Sequence, residues 1–84
     1  MIASNAKDVG MLIRSGRQQN GWTQQDLATR MGVSRQWVIS AEAGSPTAHL
    51  GLVLSALRWV GLTLEVARVD AGADDVLDEI TGGA

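Results

Sequence analysis

The chain of 84 residues has no cysteine, no phenylalanine and no tyrosine, and only one proline. Without cysteine there is no disulfide framework and no thiolate ligand for a metal. A single histidine, His49, cannot build a structural zinc site, so the fold has to rest on packing. The opening residues, MIASNAKDVG, lack the apolar core of a signal peptide, and no apolar run approaches the ~20 residues that span a bilayer. The expected location is therefore cytoplasmic, with no membrane partner. No nucleophile stands in a recognisable pairing with a base, and no glycine-rich loop is built to cradle phosphate. An enzyme is disfavoured, and neither cofactor nor metal is expected.

What is present is a small apolar domain with an uneven charge distribution. Hydrophobic residues make up 45% of a chain short enough that its own core is marginal, which points to apolar surface buried against a second copy. The formal net charge is −2, at first sight wrong for a nucleic-acid ligand. All seven bases lie between Lys7 and Arg68, against four acids, whereas five acids and no base follow from Val69 onward. A mildly basic body with an acidic tail remains compatible with DNA, with modest and salt-sensitive affinity. Residues 1–69 are expected to form the folded domain and residues 70–84 a flexible acidic tail. Within that tail Val76, Leu77 and Ile80 could form one amphipathic turn, either a docking peptide for a partner or a solubilising end.

Helical punctuation is clear along the body. A first helix is expected from about Ala6 to Asn20, capped by Ser4 or Asn5, with Val9, Leu12 and Ile13 on one face and Gly21 as its stop. Trp22 reads as an aromatic plug between helices. Thr23, with Asp26 three residues later, approximates a capping box for a second helix whose inward stripe is Leu27, Ala28 and Met31. Gly32 breaks it, Val33 fills the bend, and Ser34 caps a third helix from about Arg35 to Ala43, ending at Gly44. On that third helix Val38 and Ala41 face inward. Arg35, Gln36, Ile39 and Ser40 form an outward strip through two i, i+4 steps. Arginine can bond guanine O6 and N7 together, glutamine can do the same to adenine N6 and N7, and an aliphatic side chain can touch a thymine methyl. Trp37 lies between core stripe and reading strip, so it either packs inward or lies against the sugar–phosphate backbone.

Pro46 and then Thr47, as N-cap, announce a fourth helix carrying Leu50, Val53, Leu54, Leu57 and Val60, with Leu52, Ala56 and Trp59 widening its apolar surface. His49 in its first turn reads as a solvated residue, and Gly61 ends the helix. Leu62, Leu64 and Val66 then alternate with Thr63, Glu65 and Ala67, the period of a strand. A lone strand needs a partner for its amides, and no second strand is visible. The economical partner is the same strand of another subunit about a two-fold axis.

The pattern Gln24-x-x-Leu27-Ala28-x-x-x-Gly32-Val33-Ser34, then Val38 and Glu42-x-Gly44, resembles the helix-turn-helix of the Cro/C1-type (XRE) transcriptional regulators. The stretch Arg17 to Gln24, with Pro46-Thr47 and Leu62 to Val66, is similar to HipB-type antitoxins of bacterial toxin–antitoxin operons. The resemblance covers about Leu12 to Val69. It implies a mainly α fold: a four-helix, lambda-repressor-like helix-turn-helix domain plus one C-terminal β-strand pairing across a homodimer through Leu62, Leu64 and Val66. It also implies a DNA-facing set of Thr23, Gln24, Ser34, Arg35, Gln36, Trp37, Ile39 and Ser40, with Gln24 on a phosphate. Arg17 and Glu42 occupy positions of a structural ion pair. The implied function is a nucleoid-associated dimeric repressor of its own operon that binds a near-palindromic operator and a HipA-like Ser/Thr kinase toxin. The chain's end, Thr81-Gly82-Gly83-Ala84, departs from the aromatic end by which some HipB-type tails reach their kinase. Two alternatives stand beside this: a phage-type or metabolic XRE repressor without a toxin, and a protein-interaction module without specific DNA binding.

Overall fold

A computed structural model describes residues 3–68, which form α1 (Ala6–Gln19), α2 (Gln24–Met31), α3 (Arg35–Glu42) and α4 (Leu50–Trp59). Each boundary has a local cause. The Asn5 side chain accepts the Asp8 N–H at the start of α1, satisfying one of the amides that a helix leaves unpaired. The helix stops one residue before the expected Asn20, because Asn20 serves a different purpose. Its Nδ2 donates to the Gly16 carbonyl at 2.8 Å and the Val60 carbonyl at 3.2 Å, tying the end of α1 to the end of α4.

The α2 start is a full reciprocal capping box. The Thr23 hydroxyl accepts the Asp26 N–H at 3.0 Å, and the Asp26 carboxylate accepts the Thr23 N–H at 2.8 Å. Aspartate is one methylene shorter than the usual glutamate, yet it closes the box. Gly32 ends α2 at φ 72°, the left-handed region that a side chain disfavours. The Val33 N–H returns to the Ala28 carbonyl at 3.0 Å, and Ser34 begins α3 by accepting the Trp37 N–H at 3.0 Å.

The α4 start corrects the sequence reading. Thr47 does not cap the helix; His49 is the N-cap, without a side-chain hydrogen bond. Pro46 and Thr47 lie in a turn closed by the Ala48 N–H on the Ser45 carbonyl at 3.4 Å. The Thr47 hydroxyl sits 3.3 Å from that of Ser45 and is engaged there, two residues before the N-cap.

Every helix contributes to one core: Ile13 from α1, Leu27 and Ala28 from α2, Val38 and Ala41 from α3, and Ala56 and Leu57 from α4, with Val60 just beyond it. Burying each of the larger aliphatic side chains is worth about 1.5–3 kcal/mol. Two glycines on α1 set how closely the others pack. A Cβ on Gly10 would lie 2.5 Å from the Ala41 carbonyl oxygen, and one on Gly16 would lie 2.7 Å from a Val60 methyl. Past α4, the Leu62 N–H bonds the Leu57 carbonyl at 2.8 Å, and residues 62–68 continue without helix or ladder. The strand expected over Leu62–Val69 is not formed over residues 62–68 of the single chain. Val69 and the acidic tail lie outside the described residues.

Candidate nucleic-acid interface

The turn between α2 and α3 sorts side chains into two environments. Val38 is fully buried and Ala41 nearly so, which fixes the rotation of α3 about its axis. The opposite side then presents Ser34, Arg35 and Gln36 to solvent, with Ile39 and Ser40 half-buried beside them. Gln36 Nε2 lies 3.4 Å from Ser40 Oγ, a loose contact that aligns the two polar ends without consuming them. The residues of the outward strip read from sequence thus share one side of α3, three of them exposed and two half-buried.

Beneath it lies a buried polar network. Arg17 donates from Nε to Glu42 Oε2 at 2.6 Å and from Nη2 to Oε1 at 3.0 Å, a two-point pairing between α1 and α3. The two side chains are only 10% and 4% exposed. Arg17 Nη1 also donates to the Trp22 carbonyl at 2.8 Å, holding the segment that enters α2. The fixed geometry and the extra hydrogen bonds are what make a buried pair tolerable.

Gln24 is drawn into this network. Its side chain is half-buried, and Nε2 donates to Glu42 Oε1 at 3.2 Å. A phosphate contact from Gln24 therefore requires exchanging one long hydrogen bond for another. Thr23 is exposed, and its hydroxyl oxygen accepts the Asp26 N–H in the capping box. The backbone N–H of Thr23 holds the Asp26 carboxyl below the usual carboxylate range, helped by the Thr23 hydroxyl and, to a lesser extent, by Arg30.

Trp37 takes the inward of its two expected placements, with part of its ring left uncovered. It is half-buried against the core, and it lines an open cleft of about 440 Å³. Ser34, the N-cap of α3, lines that cleft with Gln36 and Ser40 on one side, and Ser45, Thr47, His49 and Leu52 line the other. The second wall escaped the sequence reading, because only the turn after Gly44 swings those residues toward α3. Nor did the sequence suggest that the Arg30 guanidinium sits 4.3 Å from the Trp22 ring centroid. Trp22 plugs the space before α2, as its position suggested, while its ring supports a cation from the far end of the same helix. Of the residues assigned to subunit pairing, Leu62 packs against the core, whereas Leu64 is 47% and Val66 95% exposed.

Comparisons with known proteins agree with this arrangement. A helix-turn-helix domain profile matches residues 8–72. An uncharacterized HTH-type transcriptional regulator, y4mF, of Sinorhizobium fredii (strain NBRC 101917 / NGR234) is 36% identical over 59 residues, 70% of this chain and 78% of the relative. Among solved structures, a chain of a HipB-O4 20mer complex superposes with a TM-score of 0.74 over 83% of this chain and 99% of that one, at 21% identity. That likeness is one of fold. No helix among the described residues is long and apolar enough to cross a membrane. With the capped turn, the buried ion pair and the exposed polar strip in place, the chain belongs to the helix-turn-helix domain family of DNA-binding transcriptional regulators, with a HipB-like fold.

Proposed function

We propose that this protein is a dimeric operator-binding repressor of the HipB antitoxin type, silencing its own operon and binding a HipA-like Ser/Thr kinase. The observation that carries the DNA half of this reading is the exposed strip on α3, held in place by the buried Arg17–Glu42 pair. Arg35 reads guanine through a two-point bond, Gln36 reads adenine, and Ile39 contacts a thymine methyl. Thr23, Gln24, Ser34 and Ser40 donate to phosphates, positioning the reader without carrying sequence information. Trp37 steadies the strip from its half-buried place and closes on the sugar–phosphate backbone.

Residues 1–69 act as the reading and pairing unit. Leu64 and Val66, uncovered in the single chain, supply the apolar side of a strand pair with a second copy. Two α3 helices related by a two-fold axis then enter successive major grooves about 34 Å apart on a near-palindromic site. The kinase partner rests on the HipB-like fold and on the residue patterns of Arg17 to Gln24 and Pro46-Thr47. The proposed role is binding, not catalysis.

Crosslinking the protein in its host and identifying the bound DNA and co-purifying proteins tests both halves. A near-palindromic site upstream of its own gene and an associated kinase are expected. Recovery of the DNA without any kinase would leave a stand-alone repressor; recovery of protein partners without specific DNA would overturn the operator reading. On the recovered site, Arg35→Ala is expected to cost about 1–3 kcal/mol and to relax preference at one base position. Unchanged affinity in a fluorescence titration would remove Arg35 from the reading set.

A further inference from the structure

His49 is the one histidine of the chain. It is exposed, it caps α4 without a side-chain hydrogen bond, and its ring lies over Gly51, where an added Cβ would sit 3.1 Å from Cε1. The same residue lines the cleft whose other wall is the start of α3, with Ser34, Gln36 and Ser40. Around it stand the hydroxyls of Ser45 and Thr47, the Trp37 ring and Leu52. None of the residues lining this cleft, from α3, from the connection or from α4, is an acid or another base. Among the described residues, an imidazole there has no carboxylate in the cleft to neutralise it.

From this placement we infer that His49 contacts the DNA backbone and makes operator binding depend on proton uptake. The inference rests on the DNA-binding reading above. The cleft is shared by Ser34, Gln36 and Ser40, so a duplex bound at those residues would bring its phosphates to a cleft that has no acid of its own. Imidazole is the side chain that ordinarily changes charge between pH 5 and 8. A protonated His49 donates to a phosphate oxygen and displaces one condensed counterion, whereas the neutral ring does not. Binding is therefore tighter and more salt-sensitive on the acid side. A chain with few cations on its reading face gains proportionately from one more.

The test uses the full chain and a 24-base-pair duplex selected by the protein itself from a random pool at pH 7. Affinity is measured by fluorescence anisotropy across a salt series at pH 5.5 and pH 8. Each contact formed by a protonated His49 is expected to steepen the slope of log affinity against log salt by about 0.9 per subunit at the lower pH. His49→Gln is expected to show the shallow slope at both pH values, and His49→Lys the steep slope at both. Equal slopes for the unaltered protein at the two pH values would overturn the inference. So would a pH-dependent slope that survives in His49→Gln. If no duplex is selected at all, the DNA-binding reading fails and this inference with it; a selected duplex bound with a pH-independent slope removes only the role of His49.

Discussion

Glu42 carries more of the fold than its single charge suggests. Its carboxylate accepts both Arg17 nitrogens and the Gln24 amide, so α1, the start of α2 and the end of α3 meet on two oxygen atoms. Removing it strands a guanidinium that is itself only 10% exposed. Glu42→Ala is expected to destabilise the domain by about 3–5 kcal/mol, the usual cost of leaving one buried partner uncompensated. Glu42→Gln, which keeps one acceptor oxygen, should lose less. Urea denaturation followed by tryptophan fluorescence measures both. A loss below 1 kcal/mol for the alanine variant would mean that Arg17 reaches water when unpaired.

At the scale of elements, the interhelical distances depend on residues that contribute almost no surface. Alanine is ordinarily preferred to glycine in a helix by about 1 kcal/mol. At Gly10 that preference meets a backbone oxygen of α3 2.5 Å from where the methyl would go, and a backbone oxygen cannot rotate away. Gly10→Ala is therefore expected to destabilise, by about 1–3 kcal/mol net, as overpacking does. A thermal melt should register this as a fall of about 4–8 °C per kcal/mol for a domain of this size. Ser15→Ala, on the exposed side of the same helix, should leave the melting temperature level or raise it. Equal behaviour of the two variants would show that α1 can slide away from α3.

For the whole molecule, the question is how a chain of net charge −2 grips a polyanion. Pairing two reading heads multiplies weak contacts through effective concentration, without requiring a more basic surface. The uncovered Leu64 and Val66 are the proposed means of that pairing. A double substitution, Leu64→Asp with Val66→Asp, places four carboxylates at the two-fold strand pair. It is expected to yield a monomer by sedimentation at concentrations where the unaltered chain is a dimer, with helical circular dichroism unchanged. Operator affinity should fall on the order of a hundredfold with the loss of avidity. A dimer that persists would place the interface elsewhere, with exposed Leu50 or Trp59 the next surfaces to test.

Local chemistry in the sequence was sufficient for the four helices, the capping box at Thr23 and Asp26, and the break at Gly32, since each depends on residues within one or two turns. The outward strip on α3 was legible for the same reason: helical periodicity decides which side chains share a face. The start of α4 was misread at Thr47, because a hydroxyl that looks like a cap was captured by Ser45, an outcome that turn geometry decides. Only the tertiary structure placed Gly10 under Ala41, Arg30 over Trp22, and His49 across a cleft from α3. The first and last of those relations join residues from separate elements. Periodicity along one helix holds no information about which atom of another helix will stand opposite.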